Sequence, residues 1–283
     1  MITSNGYVLE SSERRLGALE PVPAHERLDR DALWHRLRRD GYLYLKGHLS
    51  PETVNNFRGY YFGQLAGANV TVPGTDPVLG ISSPDIVDRA AMREALFGEI
   101  VPGAEYQQLC AHPAIAGWFA WFLQDDVHLH RRKIIRHTKP GEAGIGTATQ
   151  AHYDLVYLRE GSDRVLSMWI PLGDCPVSRG GLAYLENSHH WVLAQERDGT
   201  LARPAASITA NLPALAQEHD SRWLVTDYEA GDVVVHSAHI VHASTDNVDP
   251  ANRLRLSTDI RYQRKNEPID WRWQEQWNFN DGL

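Results

Sequence analysis

Residues 231–262 read GDVVVHSAHIVHASTDNVDPANRLRLSTDIRY. Gly231-Asp232 and the segment 247–252 are typical of turns, and the apolar runs beside them are typical of strands. From residue 253 to 262 polar and apolar residues alternate, and one face of the predicted strand carries Arg253, Arg255, Ser257, Asp259 and Arg261. The pattern predicts neighbouring antiparallel strands. It leaves open whether the polar face meets solvent or points into a barrel mouth, where an arginine could bind an anionic group.

Short apolar runs punctuated by turns occupy most of the second half of the chain. Their regular spacing predicts an antiparallel sandwich or barrel. The predicted strands cover residues 129–136, 152–158, 165–171, 181–185, 223–228, 232–236, 239–244 and 253–262. The polar, alanine-rich stretch 192–220 is interpreted as an insertion between strands.

Helical signals dominate the first half. Apolar residues recur at helical spacing over 28–39, and Ser50-Pro51 forms an N-terminal helix signal. Residues 69–104 read as a long loop with a helix near 86–97, and 112–123 is apolar enough for a core helix.

These elements predict an α+β fold with a mainly β core and helices packed outside it. Residues 1–25 are polar, carry two prolines and are predicted to form a flexible arm. The rest, 26–283, is predicted to be one domain. It comprises a helical part of about 26–125, a β core of about 127–262 and a tryptophan-rich C-terminal extension, 263–283.

Composition restricts the class of function. Lys and Arg total 28 against 36 Asp and Glu, a net charge of −8, which argues against nucleic-acid binding. The chain has only two cysteines, no basic-then-apolar leader and no apolar run long enough to cross a membrane. We therefore expect a soluble cytoplasmic protein that acts on a small molecule, with no nucleic-acid or membrane partner. The oligomeric state is left open.

The segment 150–158, QAHYDLVYL, is the most informative local motif. Side chains at positions i and i+2 of a strand share a face, so His152 and Asp154 could bind one metal ion. Such a pair also occurs by chance on the polar face of a surface strand.

A third ligand is available downstream. His242 follows the second apolar run of 231–262, and antiparallel strands could bring it beside the first pair, although His236 and His239 are alternatives. Two histidines and one carboxylate with open coordination positions suit non-haem Fe(II).

The order of motifs along the chain resembles the phytanoyl-CoA dioxygenase family of Fe(II)/2-oxoglutarate oxygenases. The opening 41–43 and 49–52 is similar to that family's opening, and further matching segments follow the His-x-Asp pair: 169–174 (WIPLGD), 180–189 (GGLAYLENSH), 231–232, 242–244 (HAS) and 253–257. The resemblance implies a double-stranded β-helix (jelly roll, cupin-like) that uses Fe(II), 2-oxoglutarate and O₂. The implied reaction is oxidation, most simply hydroxylation, of a C–H bond of a small metabolite, with succinate and CO₂ as co-products.

The same resemblance implies roles for individual residues. It assigns the metal to His152, Asp154 and His242, and the far carboxylate of 2-oxoglutarate to Arg253, with Arg255 as the alternative on the same face. The co-substrate pocket is expected to include Trp169, Ser244, Ser257 and Gln150. Because related halogenases replace the carboxylate by a small residue, Asp154 favours hydroxylation or another oxidation over halogenation, and desaturation or ring formation stays open.

Other interpretations stay open at this stage. A zinc hydrolase could use the same His/Asp/His set, and a non-catalytic jelly-roll binding protein needs no metal chemistry. In the basic stretch 130–139, Arg136 or Lys139 could meet an anionic substrate or 2-oxoglutarate, or the stretch could be a charged edge strand. The C-terminal tryptophans could close over the barrel, line a pocket or form a dimer contact; they are Trp271, Trp273 and Trp277.

Overall fold

The structure is a computed structural model that describes residues 1–142, 144–158, 160–202 and 207–278. Two β-sheets form its centre, and most of the helices precede the central strands along the chain. Within these ranges, none of the helices combines the length and the apolar character that a membrane span requires. The mainly β core with additional helices agrees with the predicted α+β class.

The described residues form seven α-helices, and most of them begin at a residue whose side chain caps the first turn. The Asp29 side chain caps the first helix, Ser50 caps the second, and Gly41 ends the first with a φ of 79°. The helices are α1 (Arg30–Asp40), α2 (Pro51–Gln64), α3 (Arg89–Glu94), α4 (Ala104–Cys110), α5 (Pro113–Leu123), α6 (Ser188–Arg197) and α7 (Leu212–Glu218). A π-helical turn, Ala95–Ile100, continues α3. The predicted insertion 192–220 thus contains helices, and its residues 203–206 lie outside the described part of the chain.

Twelve strands are present in the described residues. They are β1 (Thr3–Ser4), β2 (Tyr7–Val8), β3 (Leu16–Ala18), β4 (Tyr42–Leu45), β5 (Val127–Leu129), β6 (Ile134–Thr138), β7 (Leu166–Pro171), β8 (Leu182–Leu185), β9 (Trp223–Val225), β10 (Val233–Ser237), β11 (His242–Ser244) and β12 (Arg255–Arg264). The larger sheet has the order β4-β10-β7-β12-β5, and β6 also pairs with β12. The smaller sheet has the order β11-β8-β9-β3. β1 and β2 pair separately.

Strand β12 contains the alternating polar and apolar residues predicted to form two different faces. Leu256, Ile260 and Tyr262 belong to the core that the larger sheet shares with the helices. The alternate residues, from Arg255 to Arg261, face a cavity instead. The predicted alternation is therefore confirmed, and its polar face points inward.

The N-terminal helices cover the outer face of the larger sheet. Phe119 of α5 stacks on Tyr262 with ring centroids 4.4 Å apart, and the hydroxyls of Tyr106 and Thr258 are 2.6 Å apart. Because this face is packed against the helices, the charged side chains of Arg255, Asp259 and Arg261 lie on the inner face, where they line the cavity.

The N-terminal segment differs from the predicted flexible arm. Its strand β3 pairs in parallel with β9, and Ser4, Asn5 and Leu19 are buried. The buried carboxylate of Asp246 accepts hydrogen bonds from the backbone N–H groups of Asn5 and Gly6. The polar composition suggested solvation, but these polar groups have partners within the protein.

Candidate active site

A short backbone pairing brings two histidines together. His152 and His242 exchange both of their backbone hydrogen bonds, at 3.0 and 2.9 Å, and their ring centroids are 4.2 Å apart. Directly opposed residues of an antiparallel pair place their side chains on the same face. Two residues distant in sequence thereby become immediate neighbours.

The predicted strand 152–158 is wrong beyond its first residue. After His152 the chain turns into a 3₁₀ helix, Asp154–Val156. The Asp154 Oδ1 atom lies 3.9 Å from the Nε2 atom of His152 and 3.8 Å from that of His242. The turn, rather than strand alternation, aims the carboxylate between the two imidazoles.

The two imidazoles are oriented in the same way. The Nδ1 atom of His152 lies 2.9 Å from the carbonyl oxygen of Gln150, and that of His242 lies 3.1 Å from the carbonyl oxygen of Ile240. A carbonyl only accepts, so each Nδ1 carries the proton and each Nε2 keeps its lone pair free toward Asp154. Burial lowers the pKa of both histidines, which keeps them neutral.

The Asp154 carboxylate is fully buried and held on both sides. Arg261 donates to its Oδ1 at 2.9 Å, and the hydroxyl of Ser167 donates to its Oδ2. Although burial by itself raises the pKa of this carboxyl, the Arg261 guanidinium and the nearby histidines hold it well below its usual range. The group is therefore an anion.

The two alternative third ligands have other partners. His236 is buried on β10; its Nδ1 meets the Tyr184 hydroxyl at 2.8 Å, and its Nε2 is 3.5 Å from Oδ2, the other oxygen of Asp154. His239 faces Glu196 at 2.8 Å. The atoms of His152, Asp154 and His242 that can bind a metal all lie within 4.8 Å of one another.

This donor set fits a divalent first-row metal. It offers two neutral imidazole nitrogens and one carboxylate oxygen, all buried and on one side of a cavity. Three protein ligands leave coordination positions open toward that cavity, as a facial triad of two histidines and one carboxylate requires.

The cavity lies between the two sheets and opens beside the three ligands. Its lining comes from strands of both sheets, from the loop before the triad and from the C-terminal segment. The residues are Arg132, Ile134, Arg136, Thr149, His152, Tyr157, Trp169, Leu182, His242, Ser244, Arg255, Ser257, Asp259, Arg261, Trp273 and Trp277.

The two candidate arginines of 253–262 are placed differently. Arg255 lines the cavity, is buried and donates from Nη1 to the Ser257 hydroxyl at 2.7 Å and from Nε to Thr138 at 3.2 Å. Arg253, the first choice from sequence, lies before β12, bridges to Ile81 and is not among the residues that line the cavity. The chain leaves the β12 pairing at this end, so the alternation that puts both arginines on one face does not bring both to the cavity.

Of the other residues predicted to line the co-substrate pocket, three line the cavity and one does not. Trp169, Ser244 and Ser257 line the cavity, and the Ser244 hydroxyl accepts a hydrogen bond from the Thr149 N–H at 2.7 Å. Gln150 does not line it; its side-chain oxygen accepts from the Ser207 hydroxyl at 2.9 Å. Gln150 acts on the site through its backbone carbonyl, which orients His152.

Sequence reasoning left several site residues without a role. Arg261 and Ser167 hold Asp154, and they face each other across the β12–β7 pairing. Alternation had placed Arg261 on the polar face, but only the pairing reveals its partner. Trp273 and Trp277 line the cavity, whereas Trp271 is exposed. Of the roles predicted for the C-terminal tryptophans, Trp273 and Trp277 therefore have that of lining a pocket.

Two known proteins have sequences similar to this chain. The chain is 28% identical to a 1-deoxypentalenic acid 11-beta-hydroxylase of Streptomyces arenae over 243 residues, which cover 83% of this chain and 81% of that protein. It is 25% identical to an ectoine dioxygenase of Nocardia farcinica (strain IFM 10152) over 265 residues, which cover 84% and 82%.

A solved structure shares the fold. The epimerase SnoN, crystallised in complex with Fe3+, alpha ketoglutarate and nogalamycin RO, superposes with a TM-score of 0.59 at 21% identity. The match covers 85% of each chain. The sequence profile of the phytanoyl-CoA dioxygenase family (PhyH) matches residues 37–254, well over half of the chain. This protein therefore belongs to the phytanoyl-CoA dioxygenase family and is an Fe(II)/2-oxoglutarate-dependent oxygenase.

Proposed function

We propose that the protein hydroxylates a C–H bond of a small-molecule metabolite, with succinate and CO₂ as co-products. The observation that carries the proposal is the placement of His152, Asp154 and His242 beside a cavity that also contains the buried guanidinium of Arg255. The fold we assign to the two sheets is the double-stranded β-helix.

Residues of the cavity could contact both ends of the co-substrate. The three ligands would hold Fe(II), and Arg255 with Ser257 would bind the far carboxylate of 2-oxoglutarate, while Trp169 and Ser244 would form the adjoining walls. Iron with bound 2-oxoglutarate supplies the oxidising power for attack on a C–H bond.

The protein's own contribution is orientation and exclusion of water. The carbonyls of Gln150 and Ile240 hold the Nδ1 protons, so both histidines bind through Nε2. Arg261 and Ser167 prevent Asp154 from rotating away from the open side. Buried walls between the sheets keep the reacting centre dry.

The relatives support a small-molecule substrate. One is named a hydroxylase of 1-deoxypentalenic acid and another a dioxygenase of ectoine, both compact metabolites. The carboxylate ligand Asp154 supports hydroxylation over halogenation, because it fills the coordination position that a halide would need.

The zinc hydrolase and the binding protein are the weaker candidates. Neither explains a buried arginine hydrogen-bonded to a serine inside the cavity, since neither needs a cation beside the metal. A bound dicarboxylate, by contrast, needs a cation such as Arg255 to bind its far carboxylate.

An anaerobic titration tests the proposal. Purified protein is given Fe(II) and then 2-oxoglutarate, and the weak visible metal-to-ligand charge-transfer band is recorded for the wild type and for His152→Ala. We expect the band in the wild type and its loss in the variant. A protein that retains Fe(II) yet develops no band with 2-oxoglutarate contradicts the proposed function and favours the hydrolase or the binding protein.

A further inference from the structure

We propose that the substrate is an apolar small molecule with an anionic group, and that Arg136 at the cavity rim binds that group. This inference rests on the proposed function, because it concerns the substrate side of the same cavity. It is carried by an arginine whose guanidinium has no hydrogen bond or ion pair among the described residues, and by the aromatic wall beside it.

The cavity is cationic in an anionic protein. Among the residues that the structure describes, four guanidinium groups line it, although the whole chain has a net charge of −8. Three of them are engaged within the protein: Arg261 with Asp154, Arg255 with Ser257 and Thr138, and Arg132 with the carbonyl of Arg272 at 3.0 Å.

Arg136 is the exception. Among the described residues its guanidinium has no hydrogen bond or ion pair, and its side chain is exposed at the rim. Only the backbone of Arg136 is fixed, by the pairing of β6 with β12 opposite Ser257. An arginine that is positioned by a strand but has no partner suits an anion that arrives with a ligand.

Depth separates this arginine from the co-substrate contact. Arg255 is 4% exposed and already forms a hydrogen-bonded pair with Ser257, whereas Arg136 lies where the cavity meets solvent. A metal-bound dicarboxylate with its far end on Arg255 leaves Arg136 for a second anion.

The wall near the rim is apolar and aromatic. Trp277 and Trp273 reach the cavity from the C-terminal segment, and Trp277 contacts Phe97 edge-on with centroids 4.9 Å apart. Ile134, on the same strand as Arg136, adds an aliphatic side chain. Large indole surfaces bind apolar skeletons, so the chemistry of this entrance combines one cation with hydrophobic contact area.

Among the described residues, the acidic groups of the cavity form no ion pair with this cation. Asp154 is held by Arg261 within the metal site, and Asp259 lies deeper along β12, opposite Trp169 and Ile134. Burial raises the pKa of Asp259, and the charges of Arg261 and Arg136 oppose that rise.

Two fluorescent probes with one skeleton test the proposal. The anion 8-anilinonaphthalene-1-sulfonate and the neutral N-phenyl-1-naphthylamine are titrated into protein loaded anaerobically with Fe(II) and 2-oxoglutarate. We expect the wild type to bind the sulfonate about tenfold more tightly than the neutral probe. Arg136→Gln should abolish that preference while it leaves the affinity for the neutral probe unchanged, and Trp277→Ala should weaken both.

The matched control is Arg131→Gln. Arg131 belongs to the same basic stretch and is exposed, but it does not line the cavity, so this variant should behave as the wild type. Equal affinities for the two probes, no binding of either, or an unchanged preference in Arg136→Gln would overturn the proposal. So would an Arg136→Gln protein that needs more 2-oxoglutarate for its charge-transfer band, since Arg136 would then be a co-substrate contact. If the wild type develops no charge-transfer band, the proposed function is contradicted instead. Titration of the metal-free protein with the two probes would then still measure its preference for the anion.

Discussion

Two arginines predicted on the same face of one strand differ in whether they reach the cavity, and their surroundings explain the difference. Arg253 and Arg255 share the alternation of residues 253–262, yet only Arg255 reaches the cavity and meets Ser257 there. A guanidinium beside a serine hydroxyl provides parallel donors for a carboxylate. The difference between the two residues is therefore one of partners and depth.

Replacement of each arginine by alanine separates their roles. We expect Arg255→Ala to raise the 2-oxoglutarate concentration for half-maximal charge-transfer absorbance about 10- to 100-fold, because a charge-assisted contact contributes about 1.5–3 kcal/mol. Arg253→Ala is the matched control and should change it less than about threefold. The reverse ranking would return the co-substrate contact to Arg253.

Gln150 provides a second residue-scale prediction. It touches the site through its backbone carbonyl, which any residue supplies, and its side chain bonds to Ser207. Gln150→Ala should therefore leave the apparent affinities for Fe(II) and 2-oxoglutarate within about threefold of wild type, as measured by the same titration. A tenfold loss for 2-oxoglutarate alone would mean that the amide itself contacts the co-substrate.

At the scale of elements, the N-terminal strands support the site from behind. Ser4 donates to the backbone carbonyl of Ser244, a cavity residue, at 2.8 Å. Asp246 ties the turn between β1 and β2 to this region and also accepts from the Thr147 hydroxyl at 2.9 Å. The segment is thus a structural part of the domain.

Removal of the Asp246 carboxylate should destabilise the protein. Asp246→Ala leaves the backbone N–H groups of Asn5 and Gly6 without their acceptor, that of Asn5 in a buried place, so we expect a loss of about 1–3 kcal/mol in the free energy of unfolding, measured with urea. Asp198→Ala, at an exposed carboxylate, should change it by less than about 0.5 kcal/mol. Equal stability of the two variants would show that the N-terminal segment packs only loosely.

At the scale of the whole molecule, burial of histidines makes stability depend on pH. Burial lowers the pKa of His130, His137 and His189 to about 4 each. In the unfolded chain the same imidazoles titrate at about 6.5. Below about pH 6.5 these imidazoles bind protons in the unfolded state but stay neutral in the folded state. The free energy of unfolding is therefore highest above about pH 6.5 and decreases as the pH falls toward 4.

The measurement is urea unfolding between pH 7.5 and 5. By linkage each buried histidine contributes a loss on the order of 1–2 kcal/mol at pH 5. His137→Gln should make the pH dependence shallower, whatever its effect on stability at pH 7.5. An unfolding midpoint that stays constant from pH 7.5 to 5.5 would contradict the assignment of buried, neutral imidazoles.

The sequence by itself determined the local features. Helical spacing and capping residues predicted α1, α2 and α5, and the alternation of 253–262 predicted a strand with one polar face. The pair His152 and Asp154, with His242 downstream, predicted the metal ligands. These features depend on neighbours along the chain, so a single sequence contains them.

Only the tertiary structure decided how these features combine. It paired His152 with His242, turned Asp154 toward them through a 3₁₀ helix, and brought Arg255 rather than Arg253 to the cavity. It also packed residues 1–25 into the domain and brought Trp273 and Trp277 to the cavity. Each of these outcomes depends on contacts between segments distant in sequence, whose geometry is set by sheet pairing and side-chain packing and leaves no periodic signal in either segment alone.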